Sequence, residues 1–305
     1  MSYIFGPVPS RRLGLSLGVD LIPPKTCTYD CLYCEVGRTT CHTIETSPLV
    51  PLREISEELE NALTKNTPDT ITLAGSGEPT LNSEIDGIIS FIKKRTGVRI
   101  ALLTNGSLFW QEEVIKRVTD ADVVLPTLST VFDATYRTIH RPCHGLNASM
   151  IIKGLKDLRK RYNGLIFLEV ILLSGINDTE QEIEGLSRAI NEISPDRVQL
   201  NTVIRPPSDQ RAKPVETAQM EKIRDFLGDR AEIIGYMPSK KRSIEPDSAR
   251  LSIIEMARRR PVRLTDIAEA LNKTQEETEL LIKGMVIKGE ISEKKHGQEV
   301  FYIAR

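Results

Sequence analysis

Between residues 15 and 235, short apolar runs rich in β-branched residues alternate with stretches of helical period, and this alternation restricts the chain more than any other feature. It is the pattern of a parallel sheet whose helices pack outside it. Strands are predicted at 15–22, 69–74, 99–104, 122–126, 165–173 and 197–201, with a seventh at 231–235. Between them Ile85, Ile88, Ile89 and Ile92 fall at i, i+3, i+4 and i+7, and Ile183, Leu186, Ile190 and Ile193 repeat similarly. Each of these helices therefore buries one stripe. Asp178 and Gln181, three residues apart, read as the capping pair that opens the second helix. Right-handed crossovers then leave two α/β architectures, an open doubly wound sheet or a (β/α) barrel, full or partial.

The tail follows a different pattern. After the proline- and charge-rich connector YMPSKKRSIEPDSAR, Ile253, Ile254 and Ala257 mark one helix, 264–271 a second and 274–288 a third. Thr274 and Glu277 form a capping box on the third. GEISEKKHGQEVFYI then reads as a two-stranded wing turning near Lys295 to Gly297. These elements predict a C-terminal winged helix-turn-helix domain at 244–305, behind an α/β domain at 1–243. Its third helix opens on Glu276, Glu277 and Glu279, and the eleven basic and eleven acidic side chains of 245–305 cancel. Both features weaken DNA docking through a recognition helix. Basic clusters remain at Lys240, Lys241, Arg242 and at Arg258, Arg259, Arg260. The wing edge alternatively suits pairing with a peptide strand, and a covering or assembly role is the third use of such a module.

The 305 residues, 40% hydrophobic and 27% charged, suffice for one large domain or one domain with a small appendage. A net charge of -1 excludes a global field that draws the chain to nucleic acid or membrane, so any anion site must be local. Arg11 and Arg12, together with Arg137, His140, Arg141 and His144, are candidates for steering an anionic substrate, or else are solvated or paired. Five cysteines are too few and too unevenly spaced for a disulfide framework. A reduced, cytoplasmic setting fits them better. The opening MSYIFGPVPSRRLG lacks a charged region followed by an apolar run, and no membrane partner is expected.

KTCTYDCLYC places Cys27, Cys31 and Cys34 in a C-x3-C-x2-C array. With Cys41 or His42 as a fourth ligand they suit a structural zinc, although zinc knuckles usually pair C-x2-C units. A zinc-stabilised winged-helix DNA-binding regulator is the reading in that class. Three thiolates on one loop also suit a [4Fe-4S] cluster whose fourth iron lacks a protein ligand.

That array after a first strand, with Tyr33 just before the last cysteine, resembles the radical S-adenosylmethionine (SAM) superfamily. ITLAGSGEPTL, with Gly75, Gly77, Glu78 and Pro79 past the second strand, resembles its GGEP-type motif with Ser76 intervening. LLTNGSL ends the third strand on Asn105 and Gly106, similar to its T-N-G. LPTLST follows the fourth with Ser129, ILLSGIND closes the fifth, and LNTVIRPP closes the sixth with Asn201 and Val203. The resemblance implies a partial (β/α)6 TIM-type barrel in which Cys27, Cys31 and Cys34 ligate one [4Fe-4S] cluster. Its open iron chelates SAM, and the reduced cluster cleaves SAM to methionine and a 5'-deoxyadenosyl radical that takes hydrogen from a substrate. An external electron donor such as flavodoxin or ferredoxin is implied as a partner. Tyr33, Gly77, Glu78, Asn105, Ser129, Asn201 and Val203 are implied to line SAM, with Glu78 meeting its ammonium group and the backbone of Val203 its adenine. FGPVPSRRLGLSLGVDLIPPKTC, FDATYRTIHRPCHG and QLNTVIRPP are similar to the group around the wyosine-type tRNA-modifying synthase, which implies tRNA base modification; a peptide substrate is the alternative. The chain departs from that group in having no cysteine ahead of Cys27, with only Cys41 and Cys143 besides the array. His140 and His144 are candidate proton carriers and Cys143 a candidate hydrogen donor, each with a structural role as the alternative.

Overall fold

Seven parallel strands form where the sequence carries its apolar runs. The computed structural model describes residues 2–234, 246–271 and 273–304. The chain opens with β1 (Ile4–Ser10), β2 (Gly14–Asp20), the two-residue strands β3 (Thr26–Cys27) and β4 (Cys41–His42), and α1 (Leu52–Lys65). It continues through β5 (Thr70–Ala74), α2 (Ile85–Arg95), β6 (Arg99–Thr104), α3 (Glu112–Val118), β7 (Val123–Pro126), α4 (Asp133–His140) and α5 (Ala148–Arg161). Next come β8 (Leu165–Leu172), α6 (Glu180–Ile193), β9 (Arg197–Thr202), α7 (Thr217–Leu227) and β10 (Ala231–Ile233). The C-terminal segment holds α8 (Pro246–Arg259), β11 (Val262–Arg263), α9 (Leu264–Leu271), α10 (Gln275–Ile287), β12 (Ile291–His296) and β13 (Glu299–Ala304).

The main sheet runs β1-β2-β5-β6-β7-β8-β9-β10. Its strands from β2 onward are parallel, and β1 is antiparallel to β2. Among the described residues no ladder joins β10 to β1, so the sheet is mixed α/β and open at its edges rather than a closed barrel. All four residues of β7 are buried, as expected of a strand covered on both faces. The stripe Ile85, Ile88, Ile89 and Ile92 of α2 is buried, as is Ile183, Leu186, Ile190 and Ile193 of α6. The cap of α6 differs from the expected pair. Thr179 is the N-cap and accepts from the Glu182 amide, while Asp178, one residue too early, accepts from the Gly175 amide at 2.8 Å.

β1 has no counterpart among the predicted strands. Pro7 and Pro9 remove two amide donors, which an edge strand tolerates and a central one does not. The Gly6-Pro7 bond is cis, and the register with β2 shifts between Phe5 and Val8. Phe5 lies on Gly18, where a Cβ would come within 2.0 Å of its ring. On that ring sits the Arg259 guanidinium, 4.3 Å from the centroid. β1 thus joins β2 to the C-terminal segment.

That segment has its own core, including Ile253, Ala257, Ile267, Leu271, Ile282 and Ile291, with Val8 of β1 packed against it. Its sheet runs β11-β13-β12, so the expected two-stranded wing gains a third strand. The capping box of Thr274 and Glu277 is present, and the β12–β13 turn holds Gly297 at φ +59. The expected boundary at 243/244, Gly235, and the cluster Lys240, Lys241 and Arg242 lie outside the described residues. No helix among the described residues is long and apolar enough to cross a membrane.

Asp266 of α9 ties the two parts together, pairing with Arg263 at 3.0 Å and with Arg205, beyond β9, at 3.2 Å. Burial raises its pKa, but the Arg263 and Arg205 guanidinium groups outweigh burial and hold the carboxyl down to about 2. A depressed carboxyl stabilises the fold above its unfolded pKa of about 3.9 and loses that contribution as pH falls through the folded value. Asp266→Asn is accordingly expected to cost about 2 kcal/mol at pH 7 in chemical denaturation. The gap to the parent should close between about pH 4 and about pH 2.

Candidate active site

After β2 the chain carries Cys27, Cys31 and Cys34 on a loop tied down at several points. Lys25 N donates to Ser76 O at 2.7 Å and Glu78 N to Thr26 O at 3.1 Å, fixing the loop to the turn after β5. The hydroxyls of Thr28 and Ser107 bond at 2.7 Å, adding the turn after β6. Leu32 N donates to Ile139 O at 2.9 Å and Ser208 Oγ to Cys31 O at 2.8 Å, which brings in α4 and the segment after β9. Gly77 is required here: a Cβ would stand 1.7 Å from Thr26 O. A loop held this way is preorganised for whatever its side chains bind.

All five cysteines are free thiols. Burial first, then the Glu78 charge, pushes the Cys27 thiol up to about 12, and burial likewise raises Cys31 and Cys34. Donors are nonetheless aimed at the sulfurs. Tyr29 N lies 3.5 Å and Asn105 Nδ2 3.6 Å from Cys27 Sγ; His140 Nδ1, 3.4 Å from Cys31 Sγ and 3.4 Å from the Tyr33 hydroxyl, donates or accepts according to its tautomer. Such donors favour thiolates once a metal displaces the protons. Among the described residues no three His, Cys, Asp or Glu side chains are grouped as ligands of one ion. In a [4Fe-4S] centre each cysteine takes a different iron, so the relevant geometry is three thiols facing one cavity, which these do. The residues fit the cluster.

The cavity, about 470 Å³, is lined by the three cysteines together with Tyr33, Gly77, Asn201 and Val203. Glu78, Asn105 and Ser129 do not reach it. The Glu78 carboxylate, 1% exposed, accepts from Thr80 N, Thr80 Oγ1, Thr104 Oγ1 and Asn105 N at 2.6 to 3.0 Å. Its work is to hold the turns beneath the cysteine loop. Glu78→Gln places an amide NH₂ against these donors, and a loss of about 3 kcal/mol in unfolding free energy is expected. Asn105 donates to Thr28 Oγ1 at 2.7 Å as well as reaching Cys27. Ser129 is buried and its Oγ accepts from Ile171 N at 3.2 Å.

His140 packs among Tyr29, Tyr33 and Tyr136. Burial lowers its pKa to about 3, so it is a neutral wall of the cysteine loop rather than a proton carrier near pH 7. Cys143, Arg137, Arg141 and His144 line a separate hollow, with Arg141 paired to Asp30 and Asp209. Arg11 and Arg12, by contrast, line the cysteine cavity. Two contributors to that cavity escape the sequence reading. Glu169 of β8 accepts from Arg12 at 2.6 Å and from Asn201 at 3.4 Å; its signal was a lone carboxylate within LIFLEVIL. Arg205, Arg259, Arg260 and Arg263 form a wall; the basic cluster of the sequence includes Arg259 and Arg260, but nothing local places them at this cavity.

A parallel α/β sheet whose strand-end turns grip a three-cysteine loop defines a class, and residues 21–187 match the radical SAM superfamily, to which the chain belongs. It is 33% identical over 311 residues to the UPF0026 protein of Methanocaldococcus jannaschii, covering 99% of this chain and 96% of that one. It is also 35% identical over 295 residues to a protein of Brachyspira hyodysenteriae described as GTPase Obg; this covers 95% of the chain but 43% of that protein, so the chain spans less than half its length. Among solved structures, Streptococcus suis SuiB bound to the precursor peptide SuiA gives a TM-score of 0.56 at 14% identity, over 72% of this chain and 48% of that one. TYW1 with a lysine-pyruvate adduct bound gives 0.54 at 16%, over 73% and 75%. At these identities the likeness is one of fold.

Proposed function

We propose that the protein is a radical SAM enzyme that holds one [4Fe-4S] cluster on Cys27, Cys31 and Cys34, and SAM beside it. The observation that carries this reading is the convergence of all three thiols, with their hydrogen-bond donors, on one cavity that also holds Tyr33, Gly77, Asn201 and Val203. When bound and reduced by a donor such as flavodoxin or ferredoxin, the cluster and SAM supply a 5'-deoxyadenosyl radical that takes hydrogen from the substrate.

The chain's own residues do the rest. Tyr29 N and Asn105 Nδ2 stabilise the Cys27 sulfur as an anion, a lever on cluster potential. Gly77 lets backbone come close to the ligand, and Tyr33 and Val203 supply walls that exclude water. Arg12 fixes Glu169, whose carboxylate and the Asn201 amide orient polar groups within the cavity.

The C-terminal segment is read as a winged helix at 244–305, following a SAM-binding domain at 1–243. Its Arg259, Arg260, Arg263 and Asp266 line the cavity, which supports a covering role over DNA docking. This basic wall supports an anionic substrate, with tRNA base modification as the leading reading. The exposed edge strand β12 supports the second reading, a peptide substrate paired to the wing. The free cysteines support a reducing, cytoplasmic setting.

Anaerobic reconstitution with iron and sulfide is expected to give a brown protein, EPR-active after reduction, whose signal shifts when SAM is added. A colourless protein holding one zinc per chain, with no SAM-dependent signal, overturns the reading.

A further inference from the structure

The cavity beside the cysteines is lined by seven Arg and Lys side chains against five carboxylates. Several of the cations are neutralised locally. Arg12 pairs with Glu169 at 2.6 Å, Arg205 with Glu35 at 3.4 Å and Asp266 at 3.2 Å, and Arg259 with Glu255 at 2.7 Å. Arg11 and Arg260 differ. Both line the cavity, one from the turn between β1 and β2 and the other just past α8, and among the described residues neither guanidinium has a hydrogen bond or ion pair. Arg11 feels Arg205, Arg12 and Arg260 as like charge, and Arg260 feels Arg205 and Arg12; Glu35 attracts both from a distance and Asp266 attracts Arg260, without outweighing burial and like charge. After burial, this crowding is what lowers both to about 10. Arg205, 4% exposed, also leaves its buried Nε without a partner in the same wall.

Partly buried cations without a directly bonded counter-ion are unfavourable, and an incoming anion that bonds them removes that cost. Guanidinium groups meet oxyanions as rigid forks, and an excess of two positive charges matches a dianion better than a single carboxylate. We propose that Arg11 and Arg260 form an oxyanion subsite that takes a phosphomonoester group of the substrate, which favours a small phosphorylated molecule over the phosphodiester backbone of a tRNA. The proposal rests on reading the cavity as the place of hydrogen abstraction. It assigns the C-terminal segment a share of the site, because Arg260 comes from there and Arg11 from the N-terminal hairpin. The substrate phosphate bridges the two ends of the chain, leaving the reactive part of the molecule on the cysteine side.

The test is calorimetric titration of the reconstituted, SAM-loaded full-length protein with inorganic pyrophosphate. Arg11→Gln and Arg260→Gln are each expected to weaken binding about tenfold or more, with Arg11→Lys and Arg260→Lys recovering part of the loss. SAM affinity is expected to move less than about twofold. Thermal unfolding of the lysine variants checks that they fold. Undiminished pyrophosphate binding in the double glutamine variant overturns the subsite. So does a parallel loss of SAM affinity, which assigns the arginines to SAM instead. Competition by a sugar phosphate supports a phosphomonoester, whereas competition by a short single-stranded RNA alone, or by neither, counts against it. SAM cleavage by the parent is scored separately. If none occurs while pyrophosphate binding still needs both arginines, the enzyme reading falls and the subsite stands. The reverse pattern removes only the subsite.

Discussion

Alanine at Cys27, Cys31 or Cys34 is expected to leave a colourless protein with less than about a tenth of the parent's reconstituted iron, because a cluster held by three thiolates has no ligand in reserve. SAM cleavage should fall by more than about a thousandfold with it. Cys41→Ala and Cys143→Ala are expected to keep both iron and colour. Cys41 is exposed, and Cys143 lines the separate hollow rather than the cysteine cavity. This contrast separates the cluster from a zinc that takes Cys41, and the iron and sulfide content separates it from one that takes His42. A zinc that recruits Cys41 as its fourth ligand loses metal with Cys41→Ala, whereas a cluster does not. Iron and sulfide analysis with visible absorbance reads the outcome across the five single variants.

The second large effect is expected at Gly77. A Cβ placed 1.7 Å from Thr26 O meets backbone rather than the end of a flexible side chain. That carbonyl lies one residue before Cys27 and accepts from Glu78 N at 3.1 Å. Gly77→Ala must therefore displace the cysteine loop or the turn after β5 by on the order of 1 Å, and a misplacement of that size costs about a hundredfold in rate. Stability should fall by about 1–3 kcal/mol, so the variant remains folded and its kinetics can be read. Gly97→Ala, with open space around its Cβ position, is the control and should match the parent in both measurements. A Gly77→Ala enzyme that cleaves SAM at the parental rate removes the argument that this turn positions the cluster loop.

The parallel strands were legible because both their faces are buried, so the apolar runs of β5, β6, β7 and β8 stand out as a two-sided core. The stripes of α2 and α6 were legible for the complementary reason, that one face is buried and the period shows it. β1 was not. Its prolines argue against a strand, and only the edge position beside β2 makes them acceptable. The cap of α6 was misplaced by one residue because Asp178 and Thr179 are both good caps, and the backbone chose Thr179.

Among the site residues, the cysteine array and Gly77 were legible because spacing and residue type carry the chemistry. Glu78 was legible as a candidate site residue, but its four protein donors were not, since they come from turns that only the packing of neighbouring strands brings together. Of the arginine wall, Arg259 and Arg260 were legible as part of a basic cluster, but their place beside the cysteines was not. Arg260 and Cys34 line one cavity although more than two hundred residues separate them, and only the packing of the C-terminal segment against β1 brings them together.

The central claim is that the cavity beside Cys27, Cys31 and Cys34 cleaves SAM reductively. The direct measurement is anaerobic incubation of the reconstituted full-length protein with SAM and a strong reductant, with 5'-deoxyadenosine and methionine quantified by mass spectrometry. Equimolar formation of both is expected, abolished in Cys31→Ala and retained in Cys41→Ala. Intact SAM with the parent, or product formation that Cys31→Ala leaves unchanged, contradicts it.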